Sequence, residues 1–261
     1  MNGRLFFYLS FYENIYMHNP FALLNTEQEI FDSFRKVPRS RIKYQGNFFR
    51  CLRVERLLKS HIYKRNWIDS SKDTSPDFHN DKQHIMMEIM KIDDSVSPSV
   101  NSFYRKDKCL RSYIGDQYKD MIQNCITFVI TETTNDYEYN FDGYLKNFNR
   151  VLLDHSSKVD KYHEHFPNCK TCILFICDES NAYYQKINAN QNLIHICFND
   201  SRFVNLIKEL KSNFVVWYTP LKIVRNDKNK EIKMPLAYIY DIKNLKYEAY
   251  KYSQIEMQKV K

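Results

Sequence analysis

Apolar positions along this chain follow two patterns. Short runs at 84–92, 126–131, 171–177, 193–198, 214–218 and 236–240 are nearly continuously apolar and of strand length. Runs without clean polar alternation belong to strands buried on both faces. Between them, the spacing predicts helices over 104–123, 144–163 and 201–211. Ahead of them, a helix over 26–36 fits Asn25 or Thr26 as N-cap, with Glu27 and Glu29 placed to favour the helix dipole. Residues 47–65 also read as a helix: Phe48, Cys51, Leu52, Val54, Leu58 and Ile62 share one side, and Arg50, Arg53, Arg56 and Lys64 share the other. The polar stretch 69–82 reads as a loop, 226–233 as a charged turn, and the C-terminus as a strand and a short helix.

Strands alternating with helices predict an α/β fold: a central mixed sheet with helices on its faces, preceded by a helical, basic N-terminal segment. The expected organisation is an extension over 1–16 ahead of a start at Met17, a basic segment over 17–68, and an α/β core over 69–261 joined to that segment in one domain.

With 43% hydrophobic and 15% aromatic residues, the chain carries enough apolar surface for a core, which excludes a disordered chain. No stretch approaches the roughly 20 apolar residues of a membrane span. The apolar run 5–16 is interrupted by Glu13 and Asn14 and lacks a small-residue cleavage site. Seven cysteines, an odd number, fit reduced thiols. A cytoplasmic protein without membrane association is the expectation, and its oligomeric state is left open.

Charge sharpens this picture. Between Arg35 and Arg65 stand eleven basic residues and one acidic residue, Glu55, an excess larger than the whole chain's net charge of +8. Arg39, Arg41 and Lys43 lie in a stretch over 38–44 that reads as a basic loop with Tyr44, and Arg50, Arg53, Arg56 and Lys64 follow on the second helix. Cations interleaved with aromatics suit phosphates and bases. Nucleic acid is the expected partner, and an acidic protein is the alternative.

Several chemistries are disfavoured. Glycine occurs only at positions 3, 46, 115 and 143, so the chain has no glycine-rich phosphate loop, dinucleotide fingerprint or nucleophile elbow. Cys169 and Cys172 form a lone C-x-x-C without the second pair of a structural zinc site, and packing is the expected role. His163-Glu164-His165 reads as a solvated helix end before Pro167.

Glu88 is the chemical candidate. It interrupts an apolar run, sharing a strand face with Met86, Met90 and Ile92. A carboxylate there requires an ion pair, hydrogen bonds or a cation. Asp77, eleven residues earlier, can meet it from a neighbouring strand, and two carboxylates make an oxygen-rich site suited to Mg²⁺. Asp178 and Glu179, at the end of a later strand, are candidate third ligands.

Pro76-Asp77 followed by Glu88 on the next strand resembles the PD-(D/E)XK nuclease superfamily. The resemblance spans roughly residues 70–180. It implies that Asp77 and Glu88 hold Mg²⁺ and activate water for phosphodiester hydrolysis, with a lysine two residues after the glutamate. Here that position is Met90. Lys91 follows it, on the opposite face unless the strand bulges, and Lys72 or Lys82 could substitute. The expected catalytic set is Asp77, Glu88 and Lys91. Separately, MMEIMKIDD, FICDES and VVWYTP resemble segments of a bacterial family that implies no activity. Two functions compete: a nucleic-acid-binding protein with a nuclease-like, Mg²⁺-dependent site, and a non-enzymatic binding protein that docks nucleic acid or an acidic protein. A small-molecule enzyme is a third, disfavoured by the lack of a cofactor motif. The first requires the Asp77 and Glu88 carboxylates to meet in a cleft with a lysine nearby, and the second leaves them apart.

Overall fold

The computed structural model describes residues 26–70, 76–92, 141–178, 184–186, 193–195, 198, 200–220, 224–225, 231–232 and 235–245. The extension expected over 1–16, the helix over 104–123 and the strand over 126–131 lie outside the described residues, as do Lys72 and Glu179.

The N-terminal elements are helix α1 (Glu27–Arg35), strand β1 (Ile42–Gln45), helix α2 (Phe48–Lys59), helix α3 (His61–Lys64) and strand β2 (Ile68–Asp69). Next come β3 (Phe78–Asn80), β4 (Ile85–Ile92), α4 (Phe141–Ser157), α5 (Val159–His165) and β5 (Thr171–Asp178). The remaining elements are β6 (Tyr184–Lys186), β7 (Leu193–His195), α6 (Ser201–Glu209), β8 (Phe214–Tyr218), β9 (Val224–Arg225), β10 (Glu231–Ile232) and β11 (Ala237–Asp241). Seven strands form one mixed sheet in the order β1-β11-β8-β5-β4-β3-β2, and β6–β7 and β9–β10 form two small ribbons. The protein is therefore α/β, as its sequence pattern predicts. No helix among the described residues is long and apolar enough to cross a membrane.

The centre of the sheet is the parallel pair β4–β5, in unbroken register from Ile85–Thr171 to Ile92–Asp178. β8 extends it in parallel, while β11 and β3 join antiparallel to their neighbours. Side chains of β4 alternate strictly. Met86, Met90 and Ile92 enter one core with Tyr144, Phe148 and Leu152 of α4 and Phe203 and Ile207 of α6. Met87 and Ile89 enter the other, with Ile30, Phe31 and Phe34 of α1 and Val54, Leu57 and Leu58 of α2. Each face of the sheet thus has its own helical cover.

The first helix starts where a capping box operates. Thr26 Oγ1 accepts the Glu29 N–H and Glu29 Oε2 accepts the Thr26 N–H, both at 3.1 Å. The basic helix is split rather than continuous over 47–65. It ends at Ser60, whose extended backbone and side chain cap the short α3. The stretch around Tyr44, expected as loop, is an edge strand paired in parallel with β11. The stretch 69–82, also expected as loop, supplies β3. Gly46 joins β1 to α2 at φ +100°, and a Cβ there would sit 2.8 Å from the Asp241 carbonyl oxygen. Only glycine fits both the left-handed backbone and the close approach.

Next to that turn, the basic segment is tied into the fold. Arg50 Nε lies 3.0 Å from Asp241 Oδ2, and Asp241 is completely buried. Asn244 Nδ2 also donates to that oxygen, at 2.7 Å. Arg50 therefore neutralises a buried carboxylate at the end of β11. Removing it leaves that charge with one amide donor. Arg50→Ala is expected to lower stability by roughly 1–3 kcal/mol, allowing for the arginine's partial exposure. Arg50→Glu should do more damage, whereas Arg53→Glu, on the exposed side of the same helix, should change stability by less than about 0.5 kcal/mol. Urea denaturation of the three variants checks this, and equal effects at both positions would refute a structural role for Arg50.

Candidate functional site

The hairpin β3–β4 pairs Phe78 with Met87, His79 with Met86 and Asn80 with Ile85. Continuing that register places Asp77 opposite Glu88, at the point where β3 ends and β4 continues alone on that side. The chain entering β3 is fixed by Ser70, whose N–H donates to the Asp77 carbonyl at 2.8 Å and whose hydroxyl donates to the Pro76 carbonyl. Asp77 then replaces the missing strand with its own side chain: Oδ2 accepts the Ile89 N–H at 2.7 Å. In return, the Asp77 N–H donates to Glu88 Oε2 at 3.3 Å.

Glu88 is 4% exposed, on the face covered by α4. There His155 Nδ1 lies 2.9 Å from Glu88 Oε1. Neither the sequence pattern nor the resemblance singles out His155. Its position was nonetheless implicit in the helix, because Tyr144, Phe148, Leu152 and His155 follow the four- and three-residue spacing of one buried stripe. A polar residue closing such a stripe faces whatever polar group lies beneath it.

Burial and, after it, the neighbouring Glu88 carboxylate push the Asp77 carboxyl up to about 7, while the Ile89 N–H and His155 work in the opposite direction. Among the described residues, no group of three or more His, Cys, Asp or Glu side chains gathers in a form that could hold a metal ion.

The other expected site residues are dispersed. With no bulge between β4 and β5, Lys91 falls on the face of Met87 and Ile89, opposite Glu88. The structure does not bring it to the pair. Lys82 is exposed on the turn between β3 and β4, at the far end of the hairpin from Asp77. Asp178 pairs in register with Ile92, four residues beyond Glu88, or about 13 Å along the strand. Its Oδ2 accepts the Tyr144 hydroxyl at 2.8 Å and the Trp217 indole N–H at 3.0 Å, which anchors α4 and β8 to the end of β5. Asp200 caps α6 and pairs with Arg202. Cys169 and Cys172 are buried, and burial raises both thiols, Cys169 to about 11. His163 Nδ1 meets the Cys169 carbonyl at 2.9 Å, closing the helix end it belongs to.

The basic residues divide into two groups. Arg39 lies 3.4 Å from Glu55, which is buried and also accepts the Tyr44 hydroxyl at 2.6 Å. Lys64 lies 3.6 Å from Asp32, Arg41 is half-buried, and Arg50 holds Asp241. Lys43, Arg53 and Arg56 are exposed and form no ion pair with a described residue. Lys43 alternates with Ile42 and Tyr44 on β1 and stands opposite Tyr238, so it faces away from α2. Arg53 and Arg56 are on α2, which packs on β1 and β11. The acid pair is on the opposite face of the sheet, at β4. Counting strands from β1 gives four spacings, about 19 Å.

The raised Asp77 carboxyl has a consequence for stability. Between about pH 4, where an unfolded Asp releases its proton, and pH 7, the folded protein keeps that proton and the unfolded chain does not. The contribution is therefore full below pH 4, declines as pH rises through 7 and is absent above it. Asp77→Asn keeps an oxygen for the Ile89 N–H and removes the charge. Relative to the parent, the variant should gain stability as pH rises from 4 to 8, by roughly 1–3 kcal/mol after allowance for partial exposure. Urea titrations across that range test this, and a parent–variant difference that does not change with pH would disprove the coupling.

No protein-family model matches the chain, and neither the curated proteins nor the solved structures contain a match to it, so the functional reading is built on these geometries.

Proposed function

We propose that this protein binds nucleic acid through the outer face of α2. The observation that carries this reading is the pair Arg53 and Arg56: two exposed cations on one side of this helix, neither neutralised by a described residue. The neighbouring acid, Glu55, is buried beneath Tyr44, Arg39 and Lys59. The positive potential of this face is therefore directed at solvent, where it attracts phosphates. An acidic protein offers the same charge without the regular phosphate spacing, and is the competing partner.

Binding of this kind releases counterions, so affinity should fall steeply with salt, with a log–log slope of about −0.7 to −0.9 per phosphate contacted. Arg53→Glu and Arg56→Glu combined should weaken binding by at least about tenfold and flatten that slope, with the melting temperature held. Fluorescence anisotropy with DNA and RNA over a salt series measures both quantities. Absence of binding, or affinity indifferent to salt, would overturn the reading and favour the protein partner.

A nuclease-like site at Asp77 and Glu88 is a second reading, favoured by the adjacency of the two residues, joined by the Asp77 N–H to Glu88 hydrogen bond, and by the elevated Asp77 titration. The oxygen donors fit Mg²⁺. Asp77 and Glu88 would hold it, and the ion would supply Lewis-acid activation of water for phosphodiester hydrolysis. With Lys91 on the other face, His155 is a described group beside the pair able to accept or donate a proton. A single phosphodiester cannot touch both this site and Arg53, so cleavage would require a substrate that passes around the sheet. Mg²⁺ or Mn²⁺ should raise the melting temperature of the parent and support cleavage, and Glu88→Gln should abolish both effects. Thermal shifts indifferent to divalent ions would remove the metal from this site.

A further inference from the structure

We infer that the nucleic acid held on the α2 face is single-stranded, with Phe49 serving as a stacking platform for a base. The inference rests on the proposed binding function and assigns its substrate class. Phe49 is 78% exposed and Phe48 is 49% exposed, at the start of a helix whose other apolar residues are buried. Their rings continue an aromatic series. Tyr44 and Phe48 meet edge to face with centroids 5.3 Å apart, and Phe48 and Phe49 do so at 5.5 Å. The Tyr44 hydroxyl is anchored on buried Glu55, so the base of this series is fixed to the fold while Phe49 projects into solvent.

Two cations continue the line of the projecting ring. Phe49, Arg53 and Arg56 are spaced by four and three residues, and so form one stripe along the exposed side of α2.

An exposed phenyl ring beside paired cations matches a ligand that offers flat apolar faces and anionic groups at short repeat. Single-stranded DNA or RNA offers both. A duplex hides its base faces in the stack and presents polar base edges in its grooves, which a phenylalanine cannot hydrogen-bond. Stacking on an aromatic ring accepts any base, so the expected recognition has little sequence preference.

The test compares an oligothymidylate and an oligouridylate of about 16 nucleotides, the upper end of single-strand site sizes, with a DNA duplex of equal length. The parent should bind the single strands at least about tenfold tighter than the duplex at matched salt, within the range that one to three stacked bases supply. Phe49→Ala should weaken single-strand binding roughly 5- to 150-fold while leaving the salt slope and duplex binding unchanged. Phe49→Trp should restore it. Arg53→Gln with Arg56→Gln should instead weaken every nucleic acid and reduce the salt slope. Because Phe49 is exposed, an unchanged melting temperature shows that each variant is folded. Equal or tighter duplex binding, or single-strand affinity unaffected by Phe49→Ala, overturns this inference and leaves the nucleic-acid reading standing. No binding to any of the three ligands overturns both.

Discussion

The unbulged parallel pairing of β4 with β5 constrains everything else in this protein. Eight consecutive residues of β4 are locked to eight of β5, so the face each side chain occupies follows from its parity. Parity sends Met86, Glu88 and Met90 toward α4, and Met87, Ile89 and Lys91 toward α1 and α2. The same rule admits a charged residue into the α4 core and denies it a lysine neighbour on its own strand. Glu88 is tolerable there because the structure supplies three polar partners: the His155 ring above it, the Asp77 N–H beside it, and a second carboxyl group able to retain a proton. A one-residue bulge would have brought Lys91 to the pair, and would have exchanged Met90 and Ile92 for polar contacts in the core they now fill.

The charge-rich N-terminal segment is less uniform than its composition suggests. Part of its positive charge is spent inside the protein. Arg35 binds Asp32, Arg50 holds the buried Asp241, and Arg39 and Lys59 flank the buried Glu55. These contacts fix α1, α2 and β1 to one another and to β11. Arg53 and Arg56, which form no ion pair with a described residue, are presented on the scaffold that the first group holds in place. A linear count of charge cannot separate the two roles, because the acids that absorb the structural arginines stand at positions as remote as 241.

The sequence made the central architecture legible where burial is complete. Near-continuous apolar runs marked β4, β5, β8 and β11, and helical spacing marked α1 and α6 within a few residues and α4 and α5 as one helix over 144–163, which the structure divides at Lys158. The outer strands were not legible. β1, at one edge, carries Lys43 and Gln45, and β3, between β4 and the edge strand β2, has only three residues, so neither shows a run long and apolar enough to read as a strand. The division of the basic helix at Ser60 escaped periodicity because the apolar spacing continues through Ile62, which is exposed. At the site, the proximity of Asp77 and Glu88 followed from their eleven-residue separation across a short hairpin. His155 did not, because it lies sixty-seven residues away and its relation to Glu88 depends on how α4 packs.

Placement also limits how the two candidate sites can relate. The α2 face and the acid pair lie on opposite sides of the sheet, with β11, β8 and β5 between the strands that carry them. A field focused by Arg53 and Arg56 decays within a Debye length, about 8 Å at physiological ionic strength. It therefore cannot lower the charge cost at Asp77, which must be met locally. The local answer is the raised proton affinity of Asp77 and the imidazole of His155. Binding at the basic face and titration at the acid pair are for this reason electrostatically independent, and any linkage between them has to pass through the packing of the sheet itself. The core residues of β4 and β5 that separate the two faces are close-packed and fully buried, so such a linkage would require repacking them rather than moving charge.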